Sequence, residues 1–120
     1  MILTVPLPPN AANSRRHWRV ALRDKQEYWD ALAFRRAARM IPVEPKEPYD
    51  PAHIAVTLYL HSPMDHDNAM HRCKILVDWL VRSGYIGDDS PSRLKWAGLP
   101  EQVIDRKNPR VVLEIKSIAE

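Results

Sequence analysis

The run His53-Ile54-Ala55-Val56-Thr57-Leu58-Tyr59-Leu60-His61 constrains the fold more than any other segment. Its β-branched and aromatic content is that of a strand, whose successive side chains point to opposite faces. Ile54, Val56, Leu58 and Leu60 make one apolar face, and Ala55, Thr57 and Tyr59 make the other. A strand of this kind needs neighbours at its edges and a cover over its apolar face. Ile2-Leu3-Thr4-Val5-Pro6-Leu7 reads as a short opening strand, with Pro6 marking an edge or a bulge. From about Trp18 to Met40 the chain is charged and free of Pro and Gly, which predicts a helix. Its apolar stripe is Ala21, Tyr28, Leu32 and Ala33, widened by Trp29 and Phe34. Ile41 to Pro51 holds four prolines and is a connector. A second helix is expected from about Asn68 to Ser83, with Cys73, Leu76, Val77 and Leu80 as its stripe and Gly84 to end it. Arg93 to Asp105 is expected to hold another strand, and Arg110 to Lys116 a closing one after the turn-forming Asn108-Pro109. The order predicts an α+β fold. We expect a single small domain over residues 1–120, a mixed β-sheet with two main helices packed on one face.

Charge is unevenly placed along this framework. The chain carries 18 Lys and Arg against 15 Asp and Glu, a net charge of +3. Residues 15–39 hold Arg15, Arg16, Arg19, Arg23, Lys25, Arg35, Arg36 and Arg39 against three acids, and residues 93–116 hold six more basic residues. Acids gather instead in the middle: Asp65-His66-Asp67-Asn68, Asp78 and Asp88-Asp89, with Lys74 among them. Basic flanks around an acidic centre suit a protein that grips an anionic backbone and presents metal to it. Cys73 is the only cysteine, which excludes an intrachain disulfide and a cysteine-rich zinc site. Nothing resembles a signal peptide, and no apolar run approaches the ~20 residues of a membrane span, so a reducing, soluble compartment is expected.

Carboxylates that converge repel one another unless a divalent cation holds them. Asp65 and Asp67 sit two apart, as on one face of an extended segment. Asp67, Lys74 and Asp78 fall at i, i+7 and i+11, one stripe of a helix. A lysine amid such acids is a cation placed where phosphate oxygens bind. This is the constellation of a metal-dependent phosphodiesterase. The alternative for Asp67-Asn68 is a plain helix N-cap, and for Asp88-Asp89 a solvated turn.

Several metal and phosphate motifs fail on this chain. A calcium loop of the EF-hand type needs Gly at 70 and Glu at 76, where Met70 and Leu76 stand. His66-Asp67, with His61 and His71 nearby, matches a histidine-aspartate dyad of all-helical hydrolases, but it follows a strand here. Asp65-x-Asp67 with Ala69 lacks the Thr or Val of aspartyl-phosphate phosphatases.

The pattern resembles the RusA family of Holliday junction resolvases, small endonucleases common in prophages. That family's order is Asp-x-Asp-Asn, a helix bearing Lys and then Asp, a glycine, and an Asp-Asp pair. Here it stands as Asp65-His66-Asp67-Asn68, Lys74, Asp78, Gly84 and Asp88-Asp89. Leu3-Thr4-Val5-Pro6-Leu7-Pro8-Pro9-Asn10 is similar to its first strand and loop, and Asn108 to Ile115 to its last strand, so the resemblance spans nearly the whole chain. Lys74 follows Asp67 by seven residues where some members have four, and both offsets return to one helical face.

The resemblance implies a symmetric homodimer that nicks two opposed strands of a four-way DNA junction in recombination and repair, in the cytoplasm of a bacterial or phage-infected cell. It implies catalytic roles for Asp65, Asp67, Lys74 and Asp89. Asp65, Asp67 and Asp89, with Asp88 as a lesser candidate, would bind Mg²⁺, which Mn²⁺ could replace. Asp78 would support Lys74. Arg15, Arg16, Arg19, Lys95, Arg106 and Lys107 would contact phosphates, and no organic cofactor or membrane is involved. Trp18 and Trp96 are candidates for stacking on opened bases, while Trp29 and Trp79 read as core or dimer-interface aromatics. The competing expectations are a junction-binding protein without catalytic duty and a broader flap or fork nuclease.

Overall fold

Every element of the expected order is present in a computed structural model, in which residues 1–10 and 18–118 are described. The elements are β1 (Ile2–Val5), α1 (Trp18–Ala37), β2 (Ala52–Leu60), α2 (His66–Arg82), β3 (Leu94–Trp96), β4 (Glu101–Ile104) and β5 (Arg110–Ser117). The Arg93 to Asp105 stretch, expected to hold one strand, holds two. Gly98 at φ +121° interrupts it, and Pro100 has no amide to donate.

β2 lies at the centre of a mixed five-stranded sheet. β5 runs antiparallel along one edge, from Ala52 opposite Ser117 to Tyr59 opposite Arg110. The other edge is shared by two parallel strands, β3 beside Ala52–Ile54 and β4 beside Thr57–Leu60. β1 closes the far side antiparallel to β5. Register carries the apolar residues to one face: Ile54 opposes Ile115, Val56 opposes Leu113 and Leu58 opposes Val111. Leu3 and Val5 of β1 extend that face through Leu113 and Val111. The intervening His53, Ala55, Thr57 and Tyr59 stay half-exposed, so both helices cover the same side. One hydrophobic core takes residues from every element except β4. No helix among the described residues is long and apolar enough to cross a membrane.

α2 buries Ala69, Cys73, Leu76 and Leu80 at i, i+4, i+7 and i+11, and adds Ile75, Val77 and Trp79. It stops at Gly84 as expected. Gly84 has φ +84°, which only glycine adopts without strain, and the amides of Tyr85 and Gly84 close back on the carbonyls of Leu80 and Val81. α1 buries only Tyr28, Trp29 and Leu32, all in its second half. Phe34, expected to widen that stripe, is 68 % exposed, because six residues after Tyr28 the helix has carried it to the far side. Side-chain hydrogen bonds anchor α1 instead. Trp29 Nε1 donates to the Ile75 carbonyl at 3.0 Å, Tyr28 Oη to Pro6 O at 2.7 Å, and Arg36 to Ser83 O at 3.3 Å. The bonds to Ile75 and Ser83 advance together along both helices, so the helices run side by side in the same direction.

This core makes two outcomes testable. Leu80 is fully buried, and Leu80→Ala should cost about 2–5 kcal/mol in a urea-unfolding titration through lost transfer energy and the cavity left behind. Burial pushes the Cys73 thiol up to about 12 from an ordinary 9.0. The unfolded thiol ionises first, so stability from this group is whole below the ordinary value and is lost as pH climbs towards the folded one. In native protein Cys73 should resist a thiol reagent at neutral pH and react promptly in urea; equal rates in both would contradict its placement.

Candidate active site and nucleic-acid interface

The segment after β2 turns into helix earlier than its sequence suggests. α2 begins at His66, and Asp65 is its N-cap, with extended backbone angles of φ −69° and ψ 160°. One carboxylate oxygen of Asp65 accepts from Asn68 N at 2.8 Å and the other from Asn68 Nδ2 at 2.7 Å. The capping role therefore belongs to Asp65 rather than to Asp67-Asn68. Asp65 and Asp67 also do not share one face of an extended strand, because Asp67 is already in the first helical turn. Both acids are exposed, at the helix end where backbone N–H groups favour negative charge.

Around Asp65 lies a polar cleft of about 390 Å³, walled by Asn10, Ser62, Met64, Asn68 and Arg72. Gln102 of β4 fixes its rim, since its side-chain amide donates to Met64 O and accepts from Met64 N, both at 2.9 Å. Arg72 is half-buried and donates Nε–H to Pro8 O, tying the opening loop to α2. Burial lowers its pKa from the ordinary arginine value. Sequence reasoning passed over Arg72, though its spacing of seven from Asp65 and four from Asn68 places it on the cap's side of the helix.

A second hollow, of about 410 Å³, opens between the N-terminal half of α1 and the middle of α2. α1 contributes Trp18, Ala21, Leu22 and Lys25, and α2 contributes His71, Lys74, Ile75 and Asp78. Each set falls at i, i+3, i+4 and i+7, the spacing of one helical face. Lys74 and Asp78 thus meet in one site, as their spacing predicts, and Asp67 continues the stripe one turn before His71. Lys74 and Asp78 form no ion pair with each other among the described residues. Lys25 is held over the Trp29 ring, 4.7 Å from its centroid. Leu22 went unremarked in the sequence, although Ala21 on the same face was singled out, and Lys25 was counted there only among the basic residues of 15–39.

The structure does not bring Asp88-Asp89 to the other acids. About 20 Å of helix separates Asp67 from Leu80 at about 1.5 Å per residue, and the Leu80 carbonyl accepts the amides of Tyr85 and Ile86. Ile86 then bridges to Tyr49, and Gly87 N donates to Tyr49 O at 3.0 Å, just before β2. A side chain at Gly87 would lie 2.6 Å from the Asp50 carboxylate, so glycine permits this crossing. The amide and hydroxyl of Ser90 donate to Asp88 at 3.0 and 3.1 Å and hold its carboxyl below the usual carboxylate range. Asp89 is exposed beside it.

The carboxylates of Asp65 and Asp67 offer hard oxygen donors of the kind Mg²⁺ and Mn²⁺ prefer. Within one chain the fold holds Asp88-Asp89 apart from that pair. No three His, Cys, Asp or Glu side chains among the described residues are grouped to hold one metal ion. Of the basic residues, Arg19 holds its guanidinium 5.3 Å from the ring of Trp18, which itself lines the interhelical groove. Arg106 donates to His61 O, and Lys107 follows in the same exposed turn, which Arg110 and Asp105 close at 2.9 Å. These lie at the Asp65 end of the sheet. Lys95 stands opposite His53, at the Asp88 end. Arg15 and Arg16 lie outside the described residues. Of the two tryptophans expected to stack on bases, Trp96 packs against the core, whereas Trp18 is 63 % exposed.

No protein-family model matches this chain, and none of the curated proteins matches it.

The capping role of Asp65 can be separated from any chemical one. Asp65→Ala should destabilise the fold by about 1 kcal/mol, while Asp65→Asn, which keeps a capping oxygen, should cost much less. Urea unfolding of both variants checks this, and equal losses would show that Asp65 does not act as a cap.

Proposed function

We propose that this chain is a structure-selective endonuclease of branched DNA, of the RusA kind that its motif order resembles. The observation that carries the reading is the α2 stripe of Asp67, His71, Lys74 and Asp78, three of whose members line an open groove with Lys25 opposite. Lys74 places a compact cation where a phosphate can lie, and such a charge stabilises the phosphodiester as it gains negative charge. Asp65 and Asp67 supply the carboxylates of the reading, and Mg²⁺ or Mn²⁺ is its cofactor. Arg19, Arg106 and Lys107 supply phosphate contacts that position DNA without reading its sequence. A symmetric homodimer would present two such faces to opposed strands of a four-way junction, in the cytoplasm where that DNA is found.

One observation favours the second reading, a branched-DNA-binding protein without catalytic duty. The Asp88-Asp89 pair is tied beside the start of β2, about a helix length from Asp67, and a binder needs only the cations and the groove.

Cleavage of a synthetic four-way junction, with and without Mg²⁺ and beside linear duplex, decides between them. The endonuclease reading expects paired, metal-requiring nicks in the junction alone. Asp67→Asn should abolish them and retain binding, and Lys74→Ala should slow them by about 10²-fold or more, the scale of a lost electrostatic donor. Tight binding without nicks in Mg²⁺ or Mn²⁺ selects the binder. In either case affinity should fall steeply with salt through counterion release; a flat response would remove nucleic acid from both.

A further inference from the structure

The groove between α1 and α2 is unusual in exposing large apolar side chains beside cations. Trp18 is 63 % exposed and Leu22 53 % exposed, one turn apart on the same helical face. An exposed tryptophan next to an exposed leucine forgoes burial that a core-facing position would give, and such patches mark binding sites. The rim above them is cationic. Lys25 stands on one wall, its amine steadied over the Trp29 ring, and Lys74 stands on the other, between His71 and Asp78. The volume of about 410 Å³ falls in the range of small-molecule sites, about 300–1,000 Å³.

This combination has one well-matched occupant. A nucleotide carries a flat apolar face and, on the same unit, an anionic phosphate. Base stacking on an aromatic side chain, with phosphates tracked by flanking cations, is how single strands are held without strong sequence preference. We propose that the groove takes an unpaired nucleobase of a DNA strand, stacked on Trp18 and packed against Leu22, with its neighbouring phosphates on Lys25 and Lys74. Asp78, one turn beyond Lys74, is the hydrogen-bond acceptor available to an exocyclic base amine. This inference deepens the nucleic-acid reading above and rests on its DNA-binding half, not on cleavage. It also assigns the site a strand type, since paired bases inside a duplex do not present their faces.

The test is a single-stranded oligonucleotide carrying one 2-aminopurine, titrated in EDTA so that no cleavage intervenes. Stacking on Trp18 should quench the probe on binding. Trp18→Ala should lose most of that quench and weaken binding by about 5- to 100-fold, the range for one base–aromatic stack. Lys25→Gln should weaken binding and flatten its salt dependence while leaving the quench at saturation. Trp96→Phe, away from the groove, should behave as wild type. An unaltered quench and affinity in Trp18→Ala overturns the proposal, as does an oligonucleotide that does not bind. Circular dichroism checks that Trp18→Ala is folded, and Trp18→Phe, which keeps an aromatic face, should restore most of the affinity. Quenching without junction cleavage would sink the nuclease reading alone. Metal-dependent cleavage with a Trp18-independent quench would sink this inference alone.

Discussion

β2 is the element on which the rest of the structure depends. Its side chains alternate strictly between buried and half-exposed over nine residues, so a shift of one residue in its pairing would turn its whole apolar set to the wrong face. β5 is locked to it over eight residue pairs, and β1 inherits that register through β5. The helices have one place to go, over the side that carries Ile54, Val56, Leu58 and Leu60. The chain also returns to β2 at both ends: β4 beside its last residues, β3 and the Tyr49–Ile86 bridge beside its first. The segment leaving β2 and the segment leaving α2 are thereby held at opposite ends of the molecule.

The interhelical groove is a consequence of where α1 keeps its apolar residues. From Tyr28 onward the helix can seal against α2, with Trp29 hydrogen-bonded to Ile75 O and flanked by Lys25 and Arg82, each 4.7 Å from the ring centroid. Before Tyr28 its inward face is Trp18, Ala21, Leu22 and Lys25, opposed by the polar His71, Lys74 and Asp78. Lys74 and Asp78 cannot be closed over by apolar side chains without leaving charges unsatisfied, which costs more than the burial would return. The two helices therefore pack at one end and stand open at the other.

Element order, the alternation of β2, the stop at Gly84 and the stripe of α2 were legible because each rests on neighbours in sequence. The misplacements have particular causes. Asp65, Asp67 and Asn68 are all good caps within four residues, and pattern alone cannot choose among them; the side-chain bonds from Asp65 to Asn68 do. Phe34 belongs to an apolar count but not to the face that the Trp29–Ile75 bond turns inward. The location of Asp88-Asp89 depends on Gly87 crossing Asp50 and on Arg93 gripping that carboxylate at 2.7 Å, contacts some forty residues apart in sequence. No local spacing encodes them.

The separation of Asp88-Asp89 changes which physical argument bears on function. Acids that converge demand a cation, and the demand grows with their number. Here the demand is weak, since Asp65 is satisfied by Asn68, Asp88 by Ser90, and Asp67 sits at the favourable end of a helix. Mutual repulsion among carboxylates therefore gives no reason of its own for a resident ion. The groove argues differently. Lys74 and the indole of Trp18 stand outside the hydrophobic core, and Lys74 faces the groove from the same helical stripe as Asp67. Exposed residues of both kinds in one groove are accounted for by what they contact from outside, and a charged, flat-faced polymer matches both.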